Sequence, residues 1–211
     1  SNLTDEQIQN SLSSVLGSGF LMVDLDVIRA KVEELPWVYH ATVTRVWPGE
    51  IQLHIKEQVA VSYWNHDGLL NADGVVFFPE KISSLLEMPV LVGINESEPA
   101  KRVEMLNTLS YLADRMKGHG VAVQQLELKA RGVWEMVFSN GISVAMGEID
   151  TVQQDGLVTL DSKLERVGKV FSARSNINIG NIERIDARYP NGVAIKWKTS
   201  GLVTGESDAR R

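Results

Sequence analysis

Two runs of alternating apolar and polar residues, 37–46 and 51–56, flank Pro48-Gly49, and a strand pair of this kind restricts what can surround it. In the first run Trp37, Tyr39, Ala41 and Val43 alternate with Val38, His40, Thr42 and Thr44. In the second, Ile51, Leu53 and Ile55 alternate with Gln52, His54 and Lys56. A period of two puts each set on one face of a strand. The pattern predicts an antiparallel hairpin with one face in a core, Pro48 presetting its φ and Gly49 accepting a positive one.

Two strands alone are marginal, so the hairpin requires a third strand, expected upstream of Ser1, and helices to cover its apolar face. The helices are legible just before it. Thr4 and Gln7 fit a capping box, and Ile8, Leu12, Val15 and Leu16 fall on one helical face before Gly17-Ser18-Gly19 ends the segment. Asp24 reads as the N-cap of a second helix carrying Leu25, Ile28, Val32 and Leu35, which Pro36 closes.

Downstream, residues 59–64 and 75–78 read as strands separated by the turn signals His66-Asp67-Gly68 and Asn71-Ala72-Asp73-Gly74. Residues 90–92 form a short buried strand. A helix starts near Ser97 with Pro99 in its first turn and Val103, Leu106, Leu109, Leu112 and Met116 as its apolar stripe. Strands follow at 121–129, 133–138 and 142–146, the last two joined at Asn140-Gly141. Leu157, Leu160, Leu164, Val167 and Phe171 mark another helix, and residues 182–189 and 193–197 a final hairpin across Pro190-Asn191-Gly192. The segment 199–211 is small, polar and aperiodic and reads as a disordered tail. The fold class is therefore α+β, with a small helix-covered sheet at residues 1–57 and a larger antiparallel β domain with two helices at 58–198.

The chemistry is sparse. A net charge of -6 opposes general binding to nucleic acid, which needs cations to neutralise phosphates. The chain has no cysteine, which excludes disulfides, Cys-ligated zinc and thiol catalysis. His40, His54, His66 and His119 stand apart from one another, and Asp24/Asp26 and Glu33/Glu34 suit helix caps and solvated faces better than acid–base catalysis. No nucleophile elbow, zinc-protease motif, phosphate loop or dinucleotide fingerprint occurs. No catalytic, cofactor or metal residues are assigned, and no stretch reaches the roughly 20 apolar residues of a membrane span. What remains is the last strand, whose outer backbone groups would accept an extended segment of another protein.

The sequence resembles the POTRA domain of the FtsQ/DivIB bacterial cell-division family at Leu35-Pro36-Trp37-Val38, Arg45-Val46-Trp47-Pro48, Ile51-Gln52-Leu53-His54-Ile55 and Glu57. Trp64, Asn71-Ala72-Asp73-Gly74, Phe77 and the stretch from Ala187-Arg188-Tyr189 to Trp197 extend the resemblance, while Ala60 stands where the family usually has proline. The resemblance implies a non-enzymatic, single-pass type II inner-membrane protein whose periplasmic part is represented here. It also implies that the terminal edge binds FtsB, and through it FtsL, by strand addition, with FtsK, FtsW and FtsI as further division partners. Carried over by position, the partner-binding residues are Arg188, Tyr189, Asn191, Gly192 and Trp197, with Arg131 before Trp134 as an electrostatic contact. The alternative is a POTRA-type chaperone that offers its sheet edge to unfolded outer-membrane proteins.

Overall fold

The computed structural model describes residues 2–14, 23–82, 88–93, 98–149, 154–173 and 178–198. Helix α1, Asp5–Leu12, opens with the expected capping box: the Thr4 hydroxyl accepts from the Gln7 N–H at 3.3 Å, and the Gln7 side chain accepts from the Thr4 N–H at 3.0 Å. Helix α2, Leu25–Glu33, begins at Asp24, which accepts from the Asp26 N–H at 2.9 Å. Val15, Leu16 and the glycines at 17 and 19 lie outside the described residues, as do Ser97 and the tail at 199–211.

Strands β1, Val38–Val46, and β2, Glu50–Glu57, pair antiparallel under these helices. Leu12, Val23, Ile28, Val32, Val38 and Ala41 form the core, and Val43, Ile51, Leu53 and Ile55 pack against it. The expected face is therefore correct for most of the hairpin and wrong at its start. The register shifts between Val38 and His40, so Val38, 5% exposed, enters the core while Tyr39 is 41% exposed. One extra residue on a strand moves the side-chain phase by one, and a simple alternation cannot show it. The turn also differs, because the Trp47–Pro48 peptide is cis and Gly49 does not take the expected positive φ.

The chain divides into two compact units, Ser1–Leu106 and Asn107–Arg211. In the first, β3 (Ala60–Trp64), β4 (Gly68–Asn71), β5 (Val76–Phe77) and β6 (Val90–Gly93) run in the order β6-β3-β4-β5. Trp37 fastens the helix-covered hairpin to these strands: it clusters with Leu69 and Phe77 and meets the Phe77 ring edge-on, centroids 5.2 Å apart. Around it the buried Gln58 accepts from the Asn71 side-chain amide at 2.9 Å, and Gln58 donates its N–H to the Trp37 carbonyl at 2.8 Å. Asp73 accepts from the Tyr39 hydroxyl, a bond that raises the phenol above its ordinary range. This junction is held by packing and hydrogen bonds with Ala60 at its entrance.

Helix α3, Pro99–Met116, contains the division between the units. Its buried positions include Arg102, Met105 and Thr108 as well as the expected Leu109, Leu112 and Met116, whereas Val103 and Leu106 are only half-buried. In the second unit β7 (Val123–Lys129), β8 (Val133–Phe138), β9 (Ser143–Glu148), β10 (Ile182–Asp186) and β11 (Ala194–Trp197) run in the order β11-β10-β9-β8-β7. Leu160, Leu164, Val167 and Phe171 of helix α4, Gln154–Ser172, are buried, as are Leu126, Met136, Phe138, Val144 and Ile185 of the sheet. Asn140-Gly141 closes a three-residue rather than a two-residue loop, since the Phe138 carbonyl accepts from Gly141 and Phe138 donates to Ile142 with Gly141 at φ 81°.

The α+β class holds, but the sheet is mixed where an antiparallel one was expected. β3 pairs with β6, and β9 with β10, in parallel. Parallel neighbours need a long crossover, and α4 provides it between β9 and β10.

Replacing Trp37 by Ala should cost about 3–5 kcal/mol in denaturant unfolding, the usual loss for a buried aromatic that holds two elements together. A pH effect follows from Glu33, whose carboxylate accepts from the Ala41 N–H at 3.0 Å and lies 2.9 Å from His40 Nδ1. The Ala41 bond first, and then His40, hold this carboxyl below its ordinary 4.5. A depressed carboxyl stabilises fully above its ordinary value and loses that contribution as pH falls through the folded one. Thermal unfolding of Glu33→Gln should therefore depend less steeply on pH than wild type in the window below pH 4.5.

Candidate functional site

Strand β11 pairs with β10 through Asp186↔Ala194, Ile185↔Ile195, Arg184↔Lys196 and Ile182↔Trp197, and it ends the strand order of its unit. Its backbone polarity can be read from two bonds. Lys198 donates to the Asn181 carbonyl at 2.7 Å, on the β10 side, and Ala187 donates to the Ala145 carbonyl at 2.9 Å, on the β9 side. Because successive residues of a strand point their backbone groups to opposite sides, Ala194 and Lys196 face β10, whereas Ile195 and Trp197 turn theirs outward. Those outward groups form a strand edge able to pair with another chain.

The side chains along this edge are of two kinds. Lys196 lies on the face with Arg184 and Asp186 and pairs with Glu183 at 2.5 Å. Ile195 is opposite the buried Ile185, and Trp197, 48% exposed, opposite the buried Ile182, so both continue the apolar side of the sheet past its last covered strand. A strand laid along β11 would thus meet an apolar rim on one face and charges on the other.

The remaining site residues lie at the other end of β11, in the connection from β10. Tyr189 is 55% exposed, Arg188 and Asn191 are exposed, and Gly192 is half-buried. Asp186 organises this connection: its carboxylate accepts from the Arg188 N–H at 3.0 Å, from Nε at 2.9 and 3.1 Å, and from Nη2 at 2.5 Å. The Arg188 bond is the main reason that the Asp186 carboxyl sits below its ordinary range. Beneath Arg188 lies Gly147, at φ 78°, in a register shift between β8 and β9, and a Cβ there would meet Arg188 Cγ at 3.2 Å. Arg131 lies in the single helical turn between β7 and β8, at φ 63°, exposed. The sheet order brings that turn to the same end as Arg188, two strands along from β10. Tyr189 lies in the connection that enters β11 and Trp197 at the strand's far end, so the four residues of β11 run between the two aromatic positions.

Sequence reasoning missed Ile195, Gly147 and the residues of α4 that reach this region. Lys163 Nζ donates to the Met146 carbonyl at 2.5 Å, and burial pushes this ammonium below its ordinary range. Arg166 donates to the Tyr189 carbonyl at 3.3 Å. Only the Asp186-x-Arg188 spacing was a local signal. On the open face, Glu135 of β8 accepts from Lys129 at 2.6 Å and from Arg184; burial alone would raise this carboxyl, and the two cations outweigh it and hold it low. Among the described residues no three His, Asp or Glu side chains converge to hold a metal, and no helix is long and apolar enough to cross a membrane.

Comparison with known proteins places this chain in a family. The family described as POTRA domain, FtsQ-type, matches residues 1–58, and the one described as Cell division protein FtsQ/DivIB, C-terminal, matches residues 62–188. The chain is 30% identical to the Cell division protein FtsQ of Burkholderia pseudomallei over 196 residues, covering 93% of this chain and 75% of that protein. It is 29% identical to that of Allochromatium vinosum over 197 residues, 92% and 72% of the two chains, and 27% identical to that of Coxiella burnetii over 180 residues, 85% and 69%. With one family match ending at Gln58 and the other starting at Ser62, and the two together spanning most of its length, the chain belongs to the FtsQ/DivIB family of cell-division proteins.

Proposed function

We propose that this chain is a non-enzymatic scaffold of the divisome that captures FtsB, and through it FtsL, by adding a partner strand to β11. The POTRA part, residues 1–57, and the β part, residues 58–198, would lie in the periplasm as parts of a single-pass inner-membrane protein. FtsK, FtsW and FtsI are the further partners of this reading. The observation that carries it is the outward-facing backbone of Ile195 and Trp197, bordered by an exposed Tyr189 at one end and an exposed Trp197 at the other. Backbone pairing supplies register, and large aromatics at the ends supply anchors of the kind that dominate interface energetics. Arg188 and Arg131 add cationic contacts for an acidic partner residue, Arg188 through the guanidinium hydrogens that Asp186 does not take.

Two experiments test the reading. Calorimetric titration with the soluble region of FtsB should show Tyr189→Ala weakening binding by about 2 kcal/mol or more while the fold is retained; unchanged affinity would remove Tyr189 from the site. A proline pair separates strand addition from other docking. Ile195→Pro deletes an outward N–H together with one side chain of the rim and should abolish binding with the sheet intact, whereas Lys196→Pro deletes an inward N–H and should unfold the edge itself. Full binding by a folded Ile195→Pro variant would show that the partner does not extend the sheet.

A further inference from the structure

From the helix behind the binding edge, we infer that Arg166 is a positioning residue that sets Tyr189 in its partner-ready direction before any partner arrives. The inference rests on the reading of the β10–β11 connection as the binding site. The Tyr189 side chain is 55% exposed, so its direction depends on the backbone that carries it. That backbone is tied on both sides. Before Tyr189, Ala187 donates to Ala145 at 2.9 Å and Arg188 donates to Asp186 at 3.0 Å. After it, Pro190 has no N–H to give and restricts Tyr189 to extended conformations. The rotation of the Tyr189–Pro190 peptide is then governed by its carbonyl, and this carbonyl accepts from Arg166 Nη2 at 3.3 Å.

Arg166 is itself set for this contact. One turn earlier on α4, Ser162 Oγ accepts from Arg166 Nη1 at 2.7 Å, which orients the guanidinium plane. Its Nε is buried and has no hydrogen-bond partner among the described residues. A guanidinium placed for its own solvation or pairing would satisfy Nε, so the pose is governed by the Nη groups, one held by Ser162 and the other directed at the loop. Beside it Lys163 holds the Met146 carbonyl at the shifted register of β9, next to the Gly147 that makes room for Arg188. One helical turn of α4 therefore fixes both floors on which the Arg188–Tyr189 segment rests.

The test is a double-mutant cycle in the full 211-residue chain, with the soluble region of FtsB as the probe and unfolding temperature as the control. Arg166→Ala should weaken binding about fivefold with an unchanged unfolding temperature, the size expected when one preorganised anchor must be ordered on binding. Arg166→Lys, which keeps a donor toward the carbonyl, should recover part of that loss. In a Tyr189→Ala background Arg166→Ala should add nothing, because its effect passes through Tyr189. Equal losses in both backgrounds, or no loss from Arg166→Ala while Tyr189→Ala weakens binding, would overturn the positioning role and leave the site standing. No loss from Tyr189→Ala itself would overturn the site, and the positioning role with it.

Discussion

A backbone N–H or C=O that leaves water must find a partner, and among the described residues the requirement is met on both sides of β10 and on one side of β11. The asymmetry follows from α4. By returning the chain on the far side of β9, the helix makes β10 run parallel to it, and the connection that follows folds β11 back as the last strand. The same helix covers the apolar side of the sheet up to that point and then stops covering it, so Ile195 and Trp197 carry apolar character beyond the covered area. Shape and chemistry of the edge thus have one origin, the position of a single crossover.

Much of this was legible in the sequence, for local reasons. Capping residues, helical stripes and glycine turns are short-range signals, and Thr4, Asp24, Leu160 and Gly141 stand where they were expected. The errors share a cause as well. Tyr39 was misplaced because a one-residue register shift is set by the partner strand. The parallel pair of β9 and β10 was missed because strand direction depends on how a long crossover packs. Of the proposed site, the exposed positions Arg188, Tyr189 and Trp197 came from family resemblance, while Ile195, Gly147 and Arg166 needed the register of the sheet. Arg166 and Tyr189 are 23 residues apart, and no periodicity connects them.

The polar groups near the edge carry different burdens. Arg188 is exposed, and its pairing with Asp186 gives direction more than stability, since surface ion pairs contribute little net energy. Glu135 lies deeper, between Lys129 and Arg184, and losing either cation would leave a partly desolvated carboxylate short of a partner. The open face of the sheet is thereby kept polar up to Lys196, which discourages face-to-face association and leaves the rim as the sticky part.

The brevity of β11 sets how such a rim can behave. Only two of its four residues present backbone groups outward, each one donor and one acceptor, and a net contribution of about 1 kcal/mol per hydrogen bond makes that ladder weak alone. A partner strand added to so short a ladder would hold firmly only with both ends engaged and would release when either let go, a property suited to machinery assembled and taken apart in every generation.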